Sequence, residues 1–201
     1  MRIAGLEPCS FCDYPGKLAA VVFTQGCNLR CPFCHNAELI PTAGKDRLPL
    51  SEAQVLNFLQ TRRGRLDAVV VSGGEPTLQA NLAEFIAAVR ELGYLTKLDT
   101  NGTNPRMLES LLNSGVLDYV AMDIKAPWDK YDELSGTRVP AHEIQRSIEL
   151  ILESGVAHEF RTTFVPHLLR EADLAAIKSL LPESSVWKRQ TFRPMQGFRE
   201  G

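Results

Sequence analysis

The sequence predicts an α/β fold, specifically an open, partial (β/α)6 barrel of mostly parallel strands. Three observations predict it. Short β-branched apolar runs alternate with longer stretches of helical periodicity along the chain. Strands separated by helices need crossover connections, which are right-handed and give a parallel sheet. The alternation yields six such units, fewer than the eight that close a barrel.

The elements follow in order. "KLAAVVFTQG" is an apolar run ending in glycine, a buried strand entering a loop. "PLSEAQVLNFLQTRR" opens with Ser51 and Gln54 at capping-box spacing and then sets Val55, Leu56 and Leu59 on one helical face. "DAVVVSGG" is a second buried strand stopped by paired glycines, and "LAEFIAAVRELG" a helix with a glycine at its C-terminal end. "YLTKLDTNG" is a third strand leading into a turn. "PRMLESLLNSG" is a helix that begins with proline, where the missing N–H costs nothing. The strand "DYVAMDIKAP" and a helix over about Ala141–Ser154 come next, then the strand "HEFRTTFV", the helix "EADLAAIKSLL" and the strand "VWKRQTF". "APWDKYDELSGTRVP" is the longest irregular stretch between elements and the candidate for a mobile or partner-contacting segment. No linker or low-complexity tract interrupts this order, so residues 1–201 are expected to form a single domain.

Composition narrows the function. A net charge of −2, with 22 basic and 24 acidic residues dispersed along the chain, provides no basic stripe for a phosphate backbone, so nucleic acid is not an expected partner. The opening "MRIAGLEPCSF" lacks the apolar core of a signal peptide, and no segment is long and apolar enough to span a bilayer; the expected location is the cytoplasm. In a reducing compartment, five cysteines point to metal binding or redox chemistry rather than to a disulfide framework.

Three of those cysteines, Cys27, Cys31 and Cys34, stand in "GCNLRCPFCHN" with the spacing Cys-x3-Cys-x2-Cys, close enough in one loop to face a common point. Thiolates select soft metals, chiefly zinc and iron–sulfur clusters. Structural zinc wants four closed ligands; His35 directly follows Cys34 and turns to the same metal with difficulty. Three ligands with an open fourth position suit a cubane cluster that binds a substrate at one iron. In a parallel α/β sheet the loops after the carboxyl ends of strands build the active site. Those ends carry "CNLRCPFCHN", "SGGEP", "DTNG" and "DIK", with "RTTF" along the following strand. They are expected to converge on one mouth.

On these motifs the chain resembles the radical S-adenosylmethionine (SAM) superfamily, whose signature is this three-cysteine loop after the first strand of a partial barrel. "SGGEP" strengthens the resemblance, which extends over nearly the whole chain. Within the superfamily, "DYPGKLAAVVFTQGCNLRCPFCHN" is similar to the activating enzymes of glycyl radical enzymes, most of all those of anaerobic ribonucleoside-triphosphate reductase. The resemblance implies that Cys27, Cys31 and Cys34 ligate three irons of a [4Fe-4S] cluster whose free iron chelates SAM. It places Phe33 near the adenine. Ser72, Gly73, Gly74 and Glu75 would offer backbone and side-chain acceptors to the methionine ammonium. Asp99, Thr100 and Asn101 would hold the ribose and methionyl part, and Asp123 and Lys125 would meet the SAM carboxylate or a nearby cation. Arg161 joins this set as a barrel-interior option, although an ordinary strand position also fits it. Chemistry supports the pattern independently: a sulfonium ligand needs carboxylates for its cationic parts and a cation for its carboxylate.

The implied reaction is reductive cleavage of SAM to a 5′-deoxyadenosyl radical, with electrons from flavodoxin or ferredoxin, followed by hydrogen abstraction from a glycine of a partner glycyl radical enzyme. A radical SAM enzyme acting on a small molecule, such as a 7-carboxy-7-deazaguanine synthase, is the alternative, and a non-catalytic metal-binding module or electron carrier a further one. The second Cys-x2-Cys, Cys9 and Cys12, is open to two readings: a further metal or redox pair, or, as preferred, two partly buried, apolar-like cysteines. The C-terminal "FRPMQGFREG" is expected to fray, or to close the barrel edge or aid docking.

Overall fold

The computed structural model of the chain describes residues 1–41 and 49–192; of "FRPMQGFREG" only Phe192 lies within them. Among the described residues seven strands form one sheet in the order β1-β2-β3-β4-β5-β6-β7, which is sequence order, with β1 and β7 at its two ends. β2 (Lys17–Thr24), β3 (Ala68–Gly73), β4 (Leu95–Thr100), β5 (Tyr119–Asp123), β6 (Ala157–Phe164) and β7 (Trp187–Thr191) are mutually parallel. These are the six predicted strands in an open, partial barrel. The sequence did not announce β1 (Ile3–Tyr14), which runs antiparallel to β2 with register shifts on both sides of Ser10. Its mixed residues and Pro8 show no clean alternation, so its pairing is dictated by β2 and not by its own pattern.

Helices cover the outer face. α1 (Glu52–Arg62) starts in the expected capping box: the Ser51 hydroxyl accepts from the Gln54 N–H while the Gln54 carboxamide accepts from the Ser51 N–H at 2.8 Å. α2 (Leu82–Glu91) buries Leu82, Phe85, Ile86 and Val89 at helical spacing. α3 (Pro105–Asn113) is capped by the Asn104 side chain, which accepts from the Met107 N–H. A short α4 (Tyr131–Ser135) follows β5; α5 (Ala141–Ser154) stops at Gly155, and α6 (Glu171–Lys178) precedes β7. Against the longer helices pack the outward residues of the strands, among them Ala20, Val22, Val69, Val71, Leu98 and Phe160, in one large apolar core. Fully burying a Val, Leu, Ile or Phe side chain there contributes about 1.5–3 kcal/mol.

The segment expected to be irregular is not so along its whole length. It holds α4, with Tyr131, Leu134 and Ser135 buried. The Ser135 carbonyl accepts from the Arg30 N–H at 2.7 Å, which docks α4 on the three-cysteine loop. Gly136 follows with φ of +67°, and a Cβ there would lie 2.1 Å from the Arg30 carbonyl oxygen. Glycine is therefore required both by conformation and by close approach.

The opposite, inward face of the sheet encloses the barrel interior. Its lower part is apolar: Tyr14, Ala19, Val21, Ala68 and Val70 cluster there. Its upper part, at the carboxyl ends of the strands, is polar. Among the described residues no helix is long and apolar enough to cross a membrane.

Candidate active site

The polar end of the barrel opens into a cavity of about 340 Å³. Every residue nominated from the sequence lines it: the thiols of Cys27, Cys31 and Cys34, the adjacent Phe33, the Ser72–Glu75 turn, Asp99 to Asn101, and Asp123, Lys125 and Arg161. Strands β2 to β6 each deliver one group of them, as expected when parallel strands end on a common side.

Paired glycines make the approach possible. Gly73 has φ of +112°, and a Cβ on it would lie 2.3 Å from the Thr24 nitrogen; one on Gly74 would lie 2.2 Å from the Gly26 carbonyl oxygen. Two backbone bonds replace those side chains: the Gly74 N–H donates to the Thr24 carbonyl at 2.9 Å and the Glu75 N–H to the Gly26 carbonyl at 2.8 Å. The "SGGEP" turn is thereby fastened to the residue before Cys27.

Glu75 is 1 % exposed, and its carboxylate is engaged by the protein. One oxygen accepts from the Thr77 N–H and hydroxyl and the Thr100 hydroxyl, the other from the Asn101 N–H at 2.7 Å. Burial pushes its carboxyl above the ordinary value, against the pull of these donors. The side-chain acceptor expected to face a ligand instead ties the β3 turn to the β4 turn. Asn101 continues the tie by donating to the Asn28 side-chain carbonyl at 3.1 Å and pointing at the Cys27 sulfur at 3.9 Å.

The thiols are half-covered. Burial pushes Cys27 up to about 11, partly opposed by the Leu29 N–H, which donates to its sulfur at 3.4 Å; Cys31 is raised for the same reason. Such thiols are poor nucleophiles by themselves, and N–H donors aimed at a sulfur suit a thiolate bound to a metal. Among the described residues no three His, Cys, Asp or Glu side chains converge on a single-ion site; the three sulfurs share the cavity wall. Three thiols around a space of this size, with a polar pocket beside them, fit an iron–sulfur cluster and its ligand.

The charged wall is continuous. Arg161 donates through Nε to Asp123 at 2.8 Å and through a terminal nitrogen to Asp99 at 3.3 Å. Lys125 pairs with the other Asp123 oxygen at 2.9 Å, and the Ser72 hydroxyl donates to Asp99 at 3.2 Å. Burial by itself would raise the Asp123 carboxyl, but Arg161 and then Lys125 hold it well below the usual carboxylate range. Arg161 is thus in the barrel interior, bridging both strand-end carboxylates.

The structure also adds residues the sequence did not nominate. Asp13, Phe23, Thr163 and Gln190 line the cavity, and Lys97 reaches Asp99 from below. For Lys97 a signal existed, since it stands two residues before Asp99 and so shares its face of β4. His35 also lines the cavity, its ring stacked on Phe192 at 5.2 Å. Cys9 and Cys12 depart from expectation: both are exposed, on the bulged edge strand β1, and neither lines the cavity.

Comparisons with known proteins agree with this geometry. Residues 21–180 match the model of the radical SAM superfamily. A Methanocaldococcus jannaschii protein provisionally named a glycyl-radical enzyme activating enzyme is 36% identical over 203 residues, covering 98% of this chain and 82% of that protein. The pyruvate formate-lyase 1-activating enzyme of Escherichia coli K12 is 33% identical over 130 residues, covering 62% of this chain; the chain spans about half the length of that relative, 52%. Among solved structures, Streptococcus suis SuiB bound to S-adenosylmethionine superposes with a TM-score of 0.68 at 18% identity, over 87% of this chain and 40% of SuiB, a likeness of fold. The chain belongs to the radical SAM superfamily, enzymes that pair a [4Fe-4S] cluster with SAM.

Proposed function

We propose that this chain is a radical SAM activase that installs a glycyl radical on a partner enzyme, and that the partner is an anaerobic ribonucleoside-triphosphate reductase. The observation that carries the reading is the meeting of three thiols and a sulfonium-compatible set of charges in one cavity. Relatives named as glycyl-radical enzyme activating enzymes, one of them matched over almost the whole chain, support the activase class. The similarity of "DYPGKLAAVVFTQGCNLRCPFCHN" to reductase activases supports the finer partner.

In this reading Cys27, Cys31 and Cys34 would hold the cluster, and the cavity beside them would take SAM. When bound, the cluster and SAM supply the reductive cleavage that produces a hydrogen-abstracting radical. The chain's own residues bind and orient. Phe33 covers the adenine side, and the backbone of Ser72, Gly73 and Gly74 receives the methionine ammonium. Asp99, with the Thr100–Asn101 turn behind it, meets the ribose and methionyl part. Lys125 and Arg161 offer positive charge to the SAM carboxylate, their own charges partly balanced by Asp123. Glu75 keeps the two turns in register. No acid, base or nucleophile of the chain is required, so its work is geometry, electrostatics and exclusion of water. Electrons come from a flavodoxin or ferredoxin, and the setting is cytoplasmic.

The test is anaerobic. The protein is loaded with iron and sulfide, reduced with dithionite and given SAM, with and without an anaerobic ribonucleotide reductase. 5′-Deoxyadenosine together with a glycyl doublet in the electron paramagnetic resonance spectrum is the expected result. Deoxyadenosine without the doublet would overturn the partner; no deoxyadenosine from a loaded sample would overturn the activity.

A further inference from the structure

Lys97 is one of the largest fully buried side chains of the protein, 1 % exposed, in the middle of β4. Strand register places it between Val70 of β3 and Tyr119 of β5, one inward-facing position below Asp99. That is the apolar level of the barrel interior, where Val21, Val70, Ala68 and Tyr14 cluster and Tyr119 packs against them. An ammonium in such surroundings is costly unless it is paired. Its partner is Asp99: Nζ contacts Oδ1 directly, and the charge also lies 6.0 Å from the centre of the Tyr119 ring. The other Asp99 oxygen is taken by Ser72 and Arg161. The carboxylate at the cavity wall is thus gripped from beneath through one oxygen and from the sides through the other.

The contacts continue as an alternating row, Lys97–Asp99–Arg161–Asp123–Lys125. Each carboxylate of that row has a cation on both sides.

We propose that Lys97 is a positioning residue: its ammonium fixes Asp99 for contact with SAM. The proposal rests on the SAM-binding reading above. Lys97 does not face the cavity, so its effect passes through Asp99.

The experiment measures SAM affinity by equilibrium dialysis on cluster-loaded protein, with iron content and thermal melting recorded for each variant. Lys97→Met, apolar and of similar length, is expected to keep the fold and the cluster and to weaken SAM binding by about tenfold or more. Lys97→Gln, which removes the charge but keeps a hydrogen-bond donor, is expected to weaken it less, and provides the measurement should the Met variant melt early. Lys97→Ala is expected to recover affinity when ammonium or methylammonium is added. In the background of Asp99→Asn, Lys97→Met is expected to cost nothing further. Wild-type affinity in loaded Lys97→Met and Lys97→Gln, or an additive loss in the Asp99→Asn background, would each overturn the proposal. A loaded wild type that fails to bind SAM would overturn the reading beneath it.

Discussion

The chain contains the pattern Cys-x-Phe-Cys twice, as Cys9–Cys12 and as Cys31–Cys34, and the two copies meet opposite fates. In the first, both thiols are exposed and Phe11 is 84 % exposed, on the edge strand β1, which around Ser10 pairs with β2. In the second, the thiols face the cavity and Phe33 is 5 % exposed, packed into the main core. Ligand spacing is therefore insufficient to make a site. The second copy succeeds because it follows a buried parallel strand, is held by α4 from one side, and is fastened near Gly26 by the "SGGEP" turn from the other. The first lies along a bulged edge strand, where Ser10 is buried but Cys9, Phe11 and Cys12 are exposed.

Breaking the second copy has the largest expected effect. On the proposed reading, Cys31→Ala abolishes the cluster and all SAM cleavage; iron analysis and the visible absorbance of the reconstituted protein check the first, deoxyadenosine production the second. A retained cluster would show that spacing and position had been misread.

The fastening can be broken without touching a thiol. Gly74→Ala forces a methyl against the Gly26 carbonyl oxygen, 2.2 Å from where the Cβ would stand. It is expected to destabilise the protein by about 2 kcal/mol or more and to lower cluster occupancy, measured by urea unfolding and iron content. An unchanged occupancy would mean that the turn does not govern the loop.

The two phenylalanines give the most direct comparison. Phe33→Ala is expected to cost about 3 kcal/mol in unfolding free energy, as large-to-small changes in a core do. Phe11→Ala should stay within about 0.5 kcal/mol, as exposed substitutions do. Denaturant midpoints of the two variants, measured side by side, decide it.

The charged wall makes a smaller, pH-dependent contribution. The folded Asp123 carboxyl is held below its ordinary value of 3.8, so its stabilisation is complete above that pH. It is lost as acid protonates the unfolded chain first and then the native site. Stability should fall below about pH 4 with a slope of about 1.4 kcal/mol per pH unit for this one proton, and Arg161→Met should flatten that part of the curve. Thermal melting across an acid series shows whether it does. The smallest effect is expected for Cys9→Ala, which should leave iron content, SAM cleavage and melting temperature unchanged; any loss of cleavage would give the first copy a role.

β2 and β3 were legible because the apolar runs "AAVV" and "DAVVV" bury on both faces and need little context. The rim of the site was legible because strand-end residues of a parallel sheet must share a side. β1 was not, since a mixed, bulged edge strand has no period of its own and is created by the edge of β2. Nor was α4, whose five residues are too few to show helical periodicity and are held by contact with the three-cysteine loop.

What the sequence by itself determined was the order of strands and helices, the end of the sheet on which chemistry gathers, and the three thiols at its head. These depend on local apolar patterning and on residue identity, both written along the chain. What only the tertiary structure decided was that Cys9 and Cys12 are exposed, that Glu75 is spent within the protein, and that Lys97 stands under Asp99. Those outcomes turn on distances between residues far apart in the chain, and burial and charge pairing act through distance in space.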